Sequence, residues 1–162
     1  DENLSRIAQE VLILQRNAHH EITYHLDLPD HGPMVRCDRR LISQALINLL
    51  QNAADAIAMA PRRDAPAEQG GASGGEVWVR IAQEAENIAI VVADNGVGLP
   101  KDDRNRLTEP YVTHKAKGTG LGLAIVKKIM EDHGGTVRLE DRAGERGTVA
   151  TLVLPVKDDH GA

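Results

Sequence analysis

Residues 87–94, NIAIVVAD, are apolar on both faces of any strand that they could form. This pattern is typical of a strand at the centre of a sheet, and here it predicts a central strand that ends on Asp94. The preceding residues 76–82, EVWVRIA, predict a second strand that forms a hairpin with the first. The chain is therefore expected to build its other elements around a sheet.

The other elements follow from hydrophobic periodicity and from capping residues. Asp38 is placed to cap a long helix, and the HGG at residues 133–135 is a normal helix C-terminus. In EITYHLDL, alternation predicts a half-buried strand with Ile22, Tyr24, Leu26 and Leu28 on its buried side. Two strands for each helix favour an α/β two-layer sandwich, a mixed sheet with helices on one face. The predicted helices span residues 3–17, about 39–60 and a third that ends near 132; the further strands span 21–28, 34–37 and 148–156.

Composition limits the classes of protein to consider. With 162 residues and 41% hydrophobic content, the chain is the size of one domain, and 2% aromatic content makes its core aliphatic. A net charge of −5 and few aromatic residues argue against nucleic acid as a partner. No apolar run is long enough to span a membrane, so no direct membrane contact is expected. Because the chain begins at Asp1, we expect it to be part of a larger protein.

Three stretches carry chemistry, and the first is a polar stripe on the long helix. Gln44, Asn48, Asn52 and Asp55 share one face, opposite a core stripe of Ile42, Leu46, Leu49, Ala53 and Ile57. The two asparagines lie one turn apart. Either the stripe is simply solvated, or an asparagine carbonyl coordinates a hard cation or its water.

The second stretch is ADNGVGLP, residues 93–100. It puts a carboxylate at the end of a buried strand, next to Gly96 and Gly98, where a flat ligand could approach the backbone closely. Asp-Asn-Gly is also a common turn signal, so this motif alone has two interpretations.

The third stretch is KGTGLGLAIVKKI, residues 117–129. Gly118, Gly120 and Gly122 stand at the start of an apolar helix, although each interior glycine costs about 1 kcal/mol relative to alanine. Without Cβ atoms, the free N–H groups of the helix start can contact phosphate oxygens, and the helix dipole favours the anion. The spacing matches neither the P-loop nor the dinucleotide fingerprint. These glycines therefore predict a phosphate-binding helix start.

These stretches occur in the order of a known set of motifs. NLLQNAADA (48–56), DNGVGLP (94–100), the KGTGLGLAIVKKI stretch and RGTVATLVLP (146–155) resemble the N, G1, G2 and final glycine-threonine motifs of the ATP-binding domain of sensor histidine kinases. The resemblance covers residues 3–157 and is greatest to the nitrogen-regulation type of membrane sensor kinase. It implies the Bergerat fold, shared with gyrase-type and heat-shock chaperone ATPases. It also implies a single ATP-binding catalytic domain, residues 1–162, with an ATP lid at 101–119. Residues 61–75 are rich in Pro, Gly, Ala and Ser and have no periodicity, which predicts a flexible surface loop.

The resemblance also implies residue roles. Asp94 would accept a hydrogen bond from the adenine amine, with Thr148 assisting through water. Asn52 would bind Mg²⁺, and Asn48 would support the phosphates or the metal; these two asparagines are the predicted catalytic residues. Lys115 is the lid residue expected to contact phosphate. The full predicted nucleotide-binding set is Asp94, Gly96, Gly98, Lys115, Gly118, Thr119, Gly120, Leu121, Gly122, Leu123 and Thr148.

The implied activity is phosphate transfer to a protein. Where gyrase-like relatives have a glutamate that activates water, this chain has Asn48, and an amide cannot act as a general base. Attack by water should therefore be slow. The implied cofactors are ATP and Mg²⁺, and the implied partners are a phosphoacceptor dimerisation domain of the same kinase and a response regulator. The implied location is cytoplasmic, as part of a membrane-anchored sensor kinase.

The chain departs from the family pattern in three places. Asp55 and Ala56 stand where many members have a basic residue, and the lid motif at residues 107–111 lacks phenylalanine. His20 precedes Glu21, but no proline follows in the expected place, so the phosphoacceptor histidine is expected outside this chain. His133 is predicted to be a helix C-terminal residue, and His114 to face solvent or phosphate; the surface histidines are predicted to be His19, His25, His31 and His160.

Two alternatives remain open from the sequence. The first is a serine kinase of the anti-sigma type, which uses the same fold. The second is a degenerate domain that only docks partners.

Overall fold

The computed structural model describes residues 1–60, 74–99 and 122–156. Within these ranges the chain forms three helices and seven strands. In chain order they are β1 (Glu2–Asn3), α1 (Leu4–Ala18), β2 (Thr23–Asp27), β3 (Met34–Val35), α2 (Arg39–Met59), β4 (Glu76–Glu84), β5 (Asn87–Asp94), α3 (Gly122–Asp132), β6 (Thr136–Asp141) and β7 (Thr148–Pro155).

The main sheet has five strands in the order β2-β4-β5-β7-β6. β2 and β4 are parallel, and the other neighbouring pairs are antiparallel, so the sheet is mixed. β5 lies in the middle, as its two apolar faces predict. The pair β1 and β3 forms a separate two-residue ribbon that the sequence did not predict.

The helices cover one face of this sheet. The strand register places Val79 of β4, Val92 of β5 and Ala150 of β7 side by side. All three side chains are buried on the face of the sheet that the helices cover. α2 packs against both α1 and α3, so it is the middle helix of its layer. The buried core is almost wholly aliphatic, as the composition requires. The predicted two-layer α/β sandwich with helices on one face is confirmed.

The helix boundaries follow from their caps. The Asn3 side chain accepts a hydrogen bond from the Arg6 backbone N–H at 3.1 Å, so α1 begins at Leu4. Asp38 accepts from the Leu41 N–H at 3.2 Å, which confirms the predicted cap of α2.

The prediction for β2 is wrong in one respect. Ile22 and Tyr24 are buried, but Leu26 is 39% exposed. β2 is an edge strand with a neighbour on one side only, so its end receives less cover than the alternating pattern suggests.

No helix in the described ranges is long and apolar enough to cross a membrane. The predicted lid at 101–119 and most of the predicted loop at 61–75 lie outside the described residues.

Candidate functional site

Asp94 is the buried carboxyl group at the end of the central strand. Ile88, Ile90 and Val92 point to the helix-covered face, and the same alternation places Asp94 on that face. Its side chain is only 5% exposed. The Gly96 backbone N–H donates to Oδ1 at 2.9 Å, and the backbone of Thr148, on the adjacent strand, also donates to this carboxyl group. The orientation of the carboxylate is therefore set by the backbone.

Burial raises the pKa of Asp94 from 3.8 to about 6, because the charged form loses hydration. The N–H groups of Gly96 and Thr148 and the positive charge of Arg142 act in the opposite direction. With its pKa at about 6, the group is mostly ionised at pH 7. A poorly hydrated carboxylate in a fixed orientation is a strong acceptor for an N–H donor.

The turn after β5 is bonded to two neighbouring elements. The Asn95 side chain accepts from the Glu76 N–H at 2.8 Å, and the Val97 N–H donates to the Ala56 carbonyl of α2 at 2.9 Å. A Cβ atom on Gly96 would lie 2.5 Å from the Ala56 carbonyl carbon. The sequence suggested that Gly96 lets a flat ligand approach. In the structure this glycine lets the turn contact α2.

The turn between β6 and β7, residues 142–147, closes on Asp94 from the other side. Gly147 has a φ of +134°, and a Cβ atom there would collide with the Asp94 carbonyl oxygen. Gly98, with a φ of +89°, lies next to the same turn, because a Cβ atom on it would be 3.6 Å from the Gly147 oxygen. Both positions need glycine.

The residues of the polar stripe on α2 differ in their exposure to solvent. Gln44 is exposed, whereas Asn48 and Asn52 are partly buried. The Asn48 Nδ2 atom is buried and has no hydrogen-bond acceptor within the described residues. Asp55 accepts from the Gln51 side chain at 3.0 Å. The predicted core stripe on the other face is buried, apart from Ile57, which is partly buried.

The start of α3 lies beside this stripe. A Cβ atom on Gly122 would be 3.8 Å from the Asn52 Oδ1 atom, an ordinary contact distance. At the other end of α3, the His133 Nδ1–H donates to the Ile129 oxygen at 2.7 Å, and Nε2 accepts from the Asp38 N–H at 3.1 Å. His133 is thus the helix C-terminal residue that the sequence predicts, and it also joins the end of α3 to the start of α2.

The structure brings together a subset of the predicted site residues. Asp94, Gly96 and Thr148 meet at the ends of β5 and β7, while Asn52 and Gly122 meet between α2 and α3; Leu123 follows Gly122 in the first turn of α3. Lys115, Gly118, Thr119, Gly120, Leu121 and His114 lie outside the described residues.

The surface prediction holds for His25 and His31, which are exposed, while His19 is partly exposed and His160 lies outside the described residues. The His19 side chain is 22% exposed because its ring lies within hydrogen-bond distance of Glu21 and Gln51. His20 stands in the turn before β2 and not in a helix.

Arg142 and Gly147 also belong to this site, although they are not among the residues that the sequence predicts for it. The available signal for Gly147 was its place directly before Thr148 in the RGT stretch. Arg142 carries no local signal, because its relation to Asp94 depends on how the sheet is ordered.

The site thus combines a buried carboxyl group at the end of a central strand with a helix that carries two partly buried asparagines. Residues 37–158 match the family described as histidine kinase-, DNA gyrase B- and HSP90-like ATPases. The chain belongs to this family and has its Bergerat fold.

Its relatives narrow the class to histidine kinases. The chain is 45% identical over 153 residues to the nitrogen regulation protein NtrY of Azorhizobium caulinodans, covering 94% of this chain and 19% of NtrY. It is 41% identical to the C4-dicarboxylate transport sensor protein DctB of Rhizobium meliloti, covering 89% of this chain and 21% of DctB. It thus spans about a fifth of the length of these curated relatives.

Two solved structures cover nearly the whole chain. The catalytic domain of histidine kinase ThkA superposes with a TM-score of 0.78 at 30% identity, covering 95% of this chain and 93% of that one. The mycobacterial sensor histidine kinase MprB gives a TM-score of 0.78 at 28% identity, covering 95% and 96%. The chain is therefore a catalytic domain of the histidine kinase type.

Proposed function

We propose that this domain binds Mg-ATP and positions the γ-phosphate for transfer to a histidine on a separate dimerisation domain in two-component signalling. The observation that carries the proposal is Asp94, a 5% exposed carboxyl group that two backbone N–H groups hold in a fixed orientation at the end of β5. A buried, ionised acceptor of this kind costs stability, and adenine recognition explains its presence.

At the adenine end, the Asp94 carboxylate would accept a hydrogen bond from the exocyclic amine. Thr148 on β7 is paired in register with Asp94 on β5, so the Thr148 side chain extends from the strand next to Asp94. This position suits a second polar contact to the base, directly or through water.

At the phosphate end, the residues fit a magnesium-bound triphosphate. The Asn48 Nδ2 donor has no acceptor in the described part of the chain, and a phosphate oxygen would satisfy it. The Asn52 oxygen faces the start of α3 and is a hard ligand suited to Mg²⁺. No cluster of three or more His, Cys, Asp or Glu residues in the described ranges could hold a metal alone, so nucleotide oxygens and waters would complete the coordination.

The chain's own contribution to catalysis would be positioning and charge stabilisation. Bound Mg²⁺ would offset phosphate charge. Asn48, an amide, does not deprotonate a water molecule, so the attacking nucleophile is expected from another domain. The predicted contacts from Lys115 and from residues 118–123 would hold the phosphates.

The partners and location are proposed from the relatives. ThkA, at 26% identity and a TM-score of 0.74, has been solved in complex with the response regulator protein TrrA. By analogy this domain would work with a response regulator and with the dimerisation domain of its own kinase. Similarity to the sensor proteins NtrY and DctB favours a cytoplasmic place within a membrane-anchored kinase.

Calorimetric titration of ATP, with and without Mg²⁺, tests the nucleotide site. Loss of a charged hydrogen bond costs about 1.5 to 3 kcal/mol, so Asp94→Asn should weaken binding about 10- to 100-fold. Asp27→Asn is the matched control, because Asp27 also ends a strand but is 82% exposed. If the native chain does not bind ATP, the proposed function is wrong, and the alternative of a degenerate domain that only docks partners is favoured.

Phosphate transfer is tested by mixing the domain with the dimerisation domain of its own kinase and labelled ATP. A histidine product is lost in acid, whereas phosphoserine survives. An acid-stable product would instead favour the anti-sigma type of serine kinase.

A further inference from the structure

The face of the sheet opposite the helices carries a three-residue stack. The Arg142 guanidinium carbon lies 4.3 Å from the centre of the Trp78 ring, a cation–π distance. The His25 ring also stacks on Trp78, with centroids 5.4 Å apart and planes 14° apart. His25 Nε2 lies 3.2 Å from the Glu76 carboxylate. The stack therefore links β2 and β4 to the residue that follows β6.

Arg142 also holds the shape of its own turn, residues 142–147. Its backbone N–H donates to the Gly147 oxygen at 3.2 Å, and its guanidinium donates to the Arg146 oxygen at 3.4 Å. The same guanidinium pairs with Glu145 at 2.6 Å, and the Arg142 side chain is 23% exposed. The backbone and the side chain of Arg142 thus both bond to the far end of the turn, and the guanidinium of that side chain lies over the Trp78 ring.

The other side of this turn contacts the candidate adenine site. Gly147 lies directly against the Asp94 carbonyl group, and the Arg146 Nε–H donates to the Asn95 oxygen at 3.4 Å. Thr148, the first residue after the turn, donates its N–H to the Asp94 carboxyl group. A displacement of the turn would therefore move a hydrogen-bond donor of Asp94.

We propose that Arg142, seated on the ring of Trp78, is a positioning residue that holds the β6–β7 turn against Asp94 and so maintains the adenine end of the nucleotide site. This role rests on the proposed function for its effect on ATP, but its effect on Asp94 is independent of nucleotide. In this role Arg142 acts on Asp94 through the turn.

Electrostatics add a second link between Arg142 and Asp94. The positive charge of Arg142 lowers the pKa of Asp94, against the larger effect of burial. Arg142 pairs with Glu145, and His25, which stacks on the same Trp78 ring, lies within 3.2 Å of the Glu76 carboxylate. Loss of Arg142 should thus favour the protonated form of Asp94 both by charge and by displacement of the Thr148 donor.

The test compares Arg142→Ala and Trp78→Leu with native protein. Trp78→Leu keeps the charge of Arg142 but removes the aromatic ring that the guanidinium contacts. Arg138→Ala is the matched control, because Arg138 is a nearby arginine on β6, is 65% exposed and pairs with Glu140. Circular dichroism checks that each variant is folded. Trp78 is the only tryptophan in the sequence, so its emission reports directly on the contact with Arg142.

Two readouts decide the proposal. The first is the titration midpoint of the Asp94 carboxyl carbon by NMR, which should rise in both Arg142→Ala and Trp78→Leu and stay unchanged in Arg138→Ala. The second is ATP affinity at pH 7, which should fall about two- to fivefold in both variants, the range expected for one exposed cation–π contact.

A role in stability alone would lower the melting temperature and leave the Asp94 midpoint unchanged. An unchanged midpoint with native ATP affinity in both variants overturns the proposal. If native protein fails to bind ATP, the proposed function is wrong, and the NMR midpoints still decide whether Arg142 positions the turn. A shifted Asp94 midpoint in Arg142→Ala but not in Trp78→Leu would also contradict the proposal, because it would show that Arg142 acts on Asp94 through its charge and not by holding the turn.

Discussion

Replacement of Asp94 by asparagine should weaken ATP binding and, at the same time, stabilise the nucleotide-free domain at neutral pH. The side chain is 5% exposed, and burial raises its pKa from 3.8 to about 6. Because the folded value lies above the unfolded one, stability that is fully present below pH 3.8 is lost as the pH rises through about 6. A difference of about two pKa units, at about 1.36 kcal/mol each, corresponds to about 3 kcal/mol at pH 7.

Asparagine removes this cost but brings one of its own. Its NH₂ group cannot accept from the backbone donors that hold the carboxylate, and one lost hydrogen bond costs about 1 to 2 kcal/mol. We therefore expect Asp94→Asn to raise the free energy of unfolding by about 1 to 2 kcal/mol at pH 7. Near pH 5 native Asp94 is largely protonated, so the advantage of the variant should shrink by about 1 kcal/mol.

Urea denaturation of both proteins at pH 7 and pH 5 measures this difference. Asp27→Asn is the control, because its exposed carboxylate should produce no comparable gain. A stability difference between Asp94→Asn and native protein that is the same at both pH values would refute the reasoning, since it would show that Asp94 does not titrate with a raised pKa in the folded domain.

Three further substitutions, two of them with a control variant, test the domain. Gly96→Ala should destabilise the domain by about 1 to 3 kcal/mol, because its Cβ would lie 2.5 Å from the backbone of α2. Gly144→Ala, which has a φ of +69° and nothing within 4 Å, should cost only about 1 to 2 kcal/mol of backbone strain. Asn52→Ala should abolish the gain in ATP affinity that Mg²⁺ provides and leave Mg-free binding in place, as calorimetry can show. His133→Ala should cost about 1 to 3 kcal/mol of stability through two lost hydrogen bonds, while exposed His31→Ala should cost nothing measurable by thermal denaturation.

Each of these expectations has an opposing result. A Gly96→Ala variant that is as stable as native protein would mean that contact with α2 is not the reason for glycine at position 96. A Mg²⁺ effect that survives in Asn52→Ala would move the metal ligand to another residue. A native melting temperature for His133→Ala would show that the link between α3 and α2 contributes nothing to stability.

The sequence predicted most of the fold because its hydrophobic patterns are local and strong. The two apolar faces of residues 87–94 correctly indicated the central strand, and Asp38 correctly marked the start of α2. The same alternation is why Asp94 lies on the helix-covered face. The prediction for Leu26 was wrong because alternation predicts which face a side chain joins, whereas cover on that face depends on the position of the strand in the sheet.

For the site, as for the fold, the sequence predicts features that depend on neighbouring residues and not those that depend on residues far apart in the chain. Sequence motifs named Asp94, Asn52, Gly122 and Thr148, and the roles of these residues stay predictions for the experiments above. The close contact of Gly96 with α2 was not visible in the sequence, since α2 comes from a distant part of the chain.

By itself, the sequence determined the order of elements, the aliphatic core and the family to which the chain belongs, because periodicity and motif spacing are properties of neighbouring residues. Three features were decided only by the tertiary structure. They are the burial of the Asp94 carboxylate with its raised pKa, the cation–π contact of Arg142 with Trp78 and the hydrogen bond from the Asp38 N–H to His133. Each of these depends on residues that are far apart in the chain and meet only when strands and helices pack, and the hydration that a charged group loses is set by that packing.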